Sequence, residues 1–108
     1  KAMSVQEKIK QQVTASPVVL YMKGTPNAPM CGFSARAVQI LNACGVKDFA
    51  SVDVLGDAEV RQGIKEFANW PTIPQLYVNG EFVGGTDIMM EQYQSGELQT
   101  ILGEVKAP

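Results

Sequence analysis

Apolar residues recur along this chain with two periods, and the places where the period changes divide it into segments. Val5, Ile9 and Val13 stand at helical spacing in a polar background and predict a first helix. Ser4-Val5-Gln6-Glu7 reads as a capping box at its start, the serine capping and the glutamate reaching back. Pro17 disfavours helical backbone in the residue before it, so the helix is expected to end there. Val18 to Met22 is a short, β-rich apolar run that reads as a buried strand. Gly24 to Pro29, with one glycine and two prolines, reads as a loop.

Beyond Cys31 the helical period returns. Phe33, Ala37, Ile40, Leu41 and Cys44 are assigned to one apolar face, and Gly45 to the stop. Phe49 to Val54 reads as the next strand, and Asp57 as the cap of a helix whose apolar face is Val60, Ile64, Phe67 and Ala68. Gln75 to Val78, Asn79-Gly80 and Glu81 to Val83 carry the strongest short hairpin signal. Thr86 is assigned as the cap of a helix through Tyr93. Gly96 then interrupts before a last amphipathic segment with Leu98, Ile101, Leu102 and Val105. The order α-β-α-β-α-β-β-α-α predicts one four-stranded mixed sheet flanked by helices on both faces, an α/β chain of thioredoxin-like layout.

Composition narrows what such a layout can do. A chain of 108 residues reads as one domain, 1–108, long enough to bury a core without disulfide staples. No apolar run is long enough to span a bilayer, and a net charge of −2 gives no footprint for a polyanion. Neither a membrane nor a nucleic acid is therefore expected as partner. With no histidine, the chain holds no histidine-based nucleophile and no histidine metal ligand of its own. Two cysteines are too few for a disulfide framework, and no signal-peptide pattern precedes Ser4. A reducing compartment is the expectation, cytoplasmic, or an organelle matrix if a targeting peptide has been removed. Met3 is read as the natural start and Lys1-Ala2 as extraneous.

Cys31 falls at the turn from loop to helix. The first N–H groups of a helix lack partners and form the positive end of its dipole, so a thiolate there is stabilised. Lys23, at the end of the preceding strand, adds a positive charge. Ser34 stands where a dithiol oxidoreductase would have its second cysteine. Cys44 does not replace it: the intervening helix rises about 19 Å, while a disulfide needs Cα atoms within about 7 Å. Cys44 reads as a small core residue. A lone reactive thiol must find its second sulfur outside the chain, and cellular glutathione is the obvious supply. A single thiolate is also a natural terminal ligand for iron.

Three further elements could cradle a small peptide. A cis bond at Ile73–Pro74 would expose the main chain of Ile73 for pairing with an extended peptide. Gly84-Gly85-Thr86-Asp87 ends the hairpin and opens a helix, offering N–H groups to a carboxylate and Asp87 to an ammonium group. Lys23 and Arg61 are candidates for a ligand carboxylate. Each of these also has an ordinary reading, as turn punctuation, helix cap or solvated charge.

Taken together, Lys23-Gly24-Thr25-Pro26, Cys31-Gly32-Phe33-Ser34, Trp70-Pro71-Thr72-Ile73-Pro74-Gln75 and Gly84-Gly85-Thr86-Asp87 resemble the monothiol, CGFS-type glutaredoxins. The likeness runs in order over almost the whole chain and looks like the single-domain bacterial or organellar branch. The resemblance implies a thioredoxin-like glutaredoxin fold and a glutathione site. In that site Lys23 and Arg61 face the glycine carboxylate, Ile73 pairs its backbone with the cysteine, and Thr86 and Asp87 hold the γ-glutamyl end. It further implies a [2Fe–2S] cluster bridging a homodimer, with Cys31 of each protomer and two glutathiones as ligands. Iron–sulfur assembly and acceptor proteins and a BolA-type protein are the partners it implies. Some relatives carry cysteine where this chain has Thr86, so any role for a thiol there is lost.

Three functions are consistent with these residues. A cluster carrier needs four thiolates, of which each chain supplies one. A glutathione-dependent thiol-disulfide oxidoreductase acting on mixed disulfides also needs one cysteine only; the resemblance implies that this activity is weak. A regulatory adaptor would bind a BolA-type partner and needs no catalysis.

Overall fold

The computed structural model describes residues 3–103. Six strands and five helices alternate in it: α1 (Val5–Ala15), β1 (Val18–Met22), β2 (Gly24–Thr25), β3 (Ala28–Pro29), α2 (Gly32–Ala43), β4 (Ala50–Asp53), α3 (Ala58–Ala68), β5 (Gln75–Val78), β6 (Glu81–Gly84), α4 (Thr86–Ser95) and α5 (Glu97–Gly103). Four strands form the main sheet in the order β4-β1-β5-β6. β1 runs parallel to β4, pairing Val19 with Ala50 and Met22 with Asp53, and antiparallel to β5, pairing Val18 with Val78 and Tyr21 with Gln75. No helix among the described residues is long and apolar enough to cross a membrane.

The two-residue period of the strands assigns side chains to two separate cores. Val18, Leu20 and Met22 of β1, with Leu76 and Val78 of β5, face α2, α4 and α5 through Ala37, Leu41, Met89, Leu98 and Leu102. Val19, Tyr21 and Tyr77 point the other way, onto Ile9 and Val13 of α1 and Val60 and Ile64 of α3. All five residues of β1 are buried because the strand is covered on both faces.

Local chemistry sets the element ends. The capping box forms as expected: Ser4 Oγ accepts from the Glu7 N–H at 3.2 Å, and the Ser4 N–H donates to Glu7 Oε1 at 3.0 Å. Asp57 caps α3 through the Val60 N–H at 3.1 Å and pairs with Lys8 Nζ at 3.0 Å, joining α3 to α1. The end of α2 is a Schellman closure, with Val46 N–H donating to Leu41 O and Gly45 N–H to Asn42 O. The end of α3 closes in the same way around Asn69, which takes φ 51° and turns the chain into Trp70.

Four expectations need correction. Gly24 to Pro29 is a small hairpin of two paired strands, Gly24 with Pro29 and Thr25 with Ala28. Gly24 makes it possible, because its φ is +89° and a Cβ there would lie 2.5 Å from Ala28 O. The strand expected over Phe49 to Val54 is shorter, Ala50–Asp53, since the side chain of its last residue, Asp53, caps a 3₁₀ turn, Val54–Gly56, that takes the chain out of the sheet. Phe33 does not share the buried face of α2 with Ala37 and Leu41; it is 62% exposed, and Ser34 is buried instead. Thr86 does not cap α4: Gly85 is the cap and Thr86 the first helical residue. Of the final apolar set, Leu98 and Leu102 are buried and Ile101 packs beside them, while Val105 lies outside the described residues.

Candidate functional site

Cys31 is the N-cap of α2, in extended backbone at φ −160° and ψ 140°, and is partly exposed. Its thiol pKa is lowered from the ordinary value of 9.0, chiefly by the Ser34 N–H. Burial opposes that shift; the Phe33 N–H, the charge of Lys23 and the Ser34 hydroxyl reinforce it. The sulfur does not form a fully developed capping bond with those N–H groups. They surround it as donors that gain most when it ionises.

Ser34 explains how this helix start is held. It is completely buried, and its Oγ accepts from the Lys23 N–H at 3.0 Å, tying the end of β1 to the first turn of α2. The Met30 N–H donates to Lys23 O at 2.9 Å, and Asp53 Oδ1 accepts from Gly24 N–H at 2.9 Å. The small hairpin that delivers Cys31 is thus anchored at both ends. Met30 and Phe33, 68% and 62% exposed, flank the thiol with apolar surface.

Two adjoining clefts open beside Cys31. One, of about 490 Å³, is lined by Cys31, Gly32, Phe33, Arg36, Thr86, Asp87 and Met90. The other, of about 200 Å³, continues past the shared residues Phe33, Thr86 and Asp87 to Trp70, Thr72, Ile73, Pro74, Gly85 and Ile88. The peptide bond between Ile73 and Pro74 is cis. Thr86 Oγ1 donates to Phe33 O at 2.8 Å and so ties the start of α4 to the start of α2 across the groove. Gly84 lets β6 run in against α4, since a Cβ there would lie 2.7 Å from Ile88 Cβ. Trp70 Nε1 is buried without a hydrogen-bond partner among the described residues.

The fold therefore gathers Cys31, Ile73, Thr86 and Asp87 along one groove. Lys23 stands close enough to lower the Cys31 pKa yet lines neither cleft, and Arg61, exposed on α3, lines neither. Sequence reasoning did not single out Phe33, Arg36 or Met90 as groove residues. Arg36 and Met90 could have been found, because they follow Cys31 and Thr86 by little more than one helical turn. Phe33 carried a misleading signal, an aromatic residue in register with the core face.

A mixed sheet with a lone activated thiol at the start of its first crossover helix defines a thioredoxin-like thiol protein. The Glutaredoxin family profile matches residues 18–83. The chain is 64% identical over 95 residues to the uncharacterized monothiol glutaredoxin ycf64-like of Synechocystis sp., covering 88% of each chain. It is 54% identical to Glutaredoxin 4 of Escherichia coli, over 94% of this chain and 87% of the other. The solution structure of reduced poplar apo GrxS14 superposes with a TM-score of 0.82 at 47% identity, over 94% of this chain and 93% of that one. The chain belongs to the glutaredoxin family, in its monothiol branch.

Proposed function

We propose that the protein binds glutathione in the groove beside Cys31 and carries a [2Fe–2S] cluster as cargo, shared between two protomers. One observation carries this reading: a single activated thiol faces the groove, and the position that could hold a second is a fully buried serine already bonded to Lys23. Cys44 caps the far end of α2. No group of three or more cysteine, aspartate or glutamate side chains gathers as a metal cage among the described residues. One chain thus offers one thiolate, and a [2Fe–2S] cluster takes four. Cys31 from each protomer and the thiols of two glutathiones make up that set.

The chain's own residues do the holding. The start of α4 presents its first N–H groups at Thr86 and Asp87 to the γ-glutamyl carboxylate, and Asp87 faces the ammonium group. Ile73 lines the groove where its main chain can pair with the cysteinyl unit. The glycine carboxylate goes to Lys23 and Arg61, with Arg36 as a cation that already lines the groove. The similarity to glutaredoxins in turn suggests a BolA-type protein and iron–sulfur assembly and acceptor proteins as partners.

The lowered pKa and partial exposure of Cys31 favour a second reading, deglutathionylation. The Cys31 thiolate attacks the glutathione sulfur of a mixed disulfide and expels the substrate thiolate. A second glutathione thiolate then attacks the Cys31 adduct, releasing the Cys31 thiolate and glutathione disulfide.

Anaerobic reconstitution with iron, sulfide and glutathione separates the two, read by visible spectrum and solution mass. A coloured dimer that requires both Cys31 and glutathione is the expected result. A colourless monomer that turns over a glutathionylated peptide rapidly would replace the carrier with the oxidoreductase.

A further inference from the structure

Gln75 is a polar residue with 0% exposure at the start of β5, and nothing in the binding scheme above uses its side chain. Its carboxamide is nevertheless fully engaged. Oε1 accepts from the Tyr77 hydroxyl at 2.8 Å, and Nε2 donates to Trp70 O and to Thr72 O, each at 3.2 Å. The two carbonyls settle which end of the amide is which, since a reversed amide would set an acceptor against two acceptors. Tyr77 is a rigid anchor for this strut, its ring packed on Tyr21, Phe67 and Phe82 at centroid distances of 5.6, 6.0 and 5.4 Å.

The consequence is felt one atom further along the chain. The Thr72–Ile73 peptide is trans, so its C=O and N–H point in opposite directions. Thr72 and Ile73 line the 200 Å³ cleft, and Gln75 lies behind them in the protein. Drawing Thr72 O inward onto Nε2 therefore turns the Ile73 N–H outward. That N–H has no backbone partner among the described residues.

We infer that Gln75 is a positioning residue: by holding the Trp70 and Thr72 carbonyls it sets the Ile73 N–H as the cleft's donor to a bound peptide carbonyl. Under the glutathione reading, on which this inference rests, the acceptor is the cysteinyl carbonyl. Without the carboxamide, Thr72 O has no buried donor and turns toward water, carrying the Ile73 N–H inward with the same peptide plane.

The test is a glutathione titration of the full chain followed by backbone amide NMR, with amide hydrogen exchange measured before ligand is added. In the wild type the amides of Cys31, Ile73, Thr86 and Asp87 are expected to shift. In Gln75→Leu the Ile73 shift is lost, those of Thr86 and Asp87 persist, and affinity falls about tenfold, as for one hydrogen bond. A Gln75→Leu protein that keeps both the Ile73 shift and wild-type affinity overturns the inference. If that variant does not fold, Tyr77→Phe decides on the same readouts, because it frees one end of the strut and keeps the ring; an unchanged Ile73 response there is equally fatal. Should the wild-type amides at Cys31, Thr86 and Asp87 ignore glutathione, the glutathione reading fails by itself. Gln75 is then judged on ligand-free exchange: slower Ile73 exchange in Gln75→Leu than in wild type supports it, and equal exchange ends it.

Discussion

The two cysteines sit at opposite ends of one helix, and α2 makes them different reagents. Cys31 is its N-cap and Cys44 its C-cap. At the first end unpaired N–H groups and Lys23 surround a partly exposed sulfur, and its pKa is lowered. At the second end Cys44 is partly buried and packs against the core between the sheet and α2, and burial raises its pKa above 9.0. They stand thirteen residues apart along the helix, about 19 Å of rise, so neither can attack the other while α2 is intact. Residue type thus says little about a thiol; its place on the helix dipole and its access to water decide what it does.

The largest effect should appear on alkylation at neutral pH with mass-spectrometric mapping. Cys31 is expected to label at least about tenfold faster than Cys44, since the thiolate is the nucleophile. Cys31→Ser should remove the fast phase completely, and Cys44→Ser should leave it intact. Equal rates at the two sites would dissolve the comparison.

Ser34→Ala should come next. It deletes the buried acceptor for the Lys23 N–H and a donor toward the Cys31 thiolate. A loss of about 1–3 kcal/mol in urea unfolding is expected, the cost of an orphaned buried N–H. The midpoint of Cys31 labelling against pH should rise in the same variant. Loss of stability with an unmoved midpoint would confine Ser34 to tethering the helix.

Thr86→Val tests the clamp between α2 and α4 and should act more weakly. It removes the hydroxyl that donates to Phe33 O at 2.8 Å, with about 1 kcal/mol of destabilisation expected from one hydrogen bond. Thr86→Ser should restore most of it. Failure of serine to rescue would point to the methyl group's packing instead.

These sites also mark where the sequence was legible. The capping box at Ser4, the Asp57 cap and the Asn79-Gly80 hairpin are decided by residues within a few positions of one another, and each forms as read. The placement of Cys31 followed from the same local logic, a loop running into a helix. Thr86 escaped because its hydroxyl is claimed by a carbonyl fifty-three residues away, leaving Gly85 to begin the helix. Phe33 escaped because periodicity gives a face, and at the start of α2 that face opens onto the groove beside Cys31 rather than onto the core. Gln75 reads as an ordinary strand residue until Trp70 O, Thr72 O and the Tyr77 hydroxyl are brought around it.

The smallest expected effect concerns the charge at the reactive end. Lys23 acts on Cys31 through space and ranks below the Ser34 and Phe33 N–H groups among the influences that lower its pKa. Lys23→Gln should therefore raise the labelling midpoint slightly, and by no less than loss of the Ser34 hydroxyl does. That hydroxyl ranks below the Lys23 charge, while the Ser34 N–H survives in Ser34→Ala. Added salt should narrow the gap between wild type and variant. The sign extends to folding. A thiol whose pKa is depressed in the folded state adds stability above the pH at which the unfolded thiol ionises, and that increment is lost as pH falls through the folded-state pKa. Denaturant midpoints of wild type and Cys31→Ser should hence diverge in the wild type's favour as pH rises toward and beyond 9.0, the ordinary value for the thiol. Against Cys44→Ser the wild type should instead lose ground as pH rises, since a pKa raised in the folded state carries the opposite sign. Parallel curves for the two variants would mean that the ends of α2 do not differ electrostatically, and would leave exposure alone to explain the reactivity of Cys31.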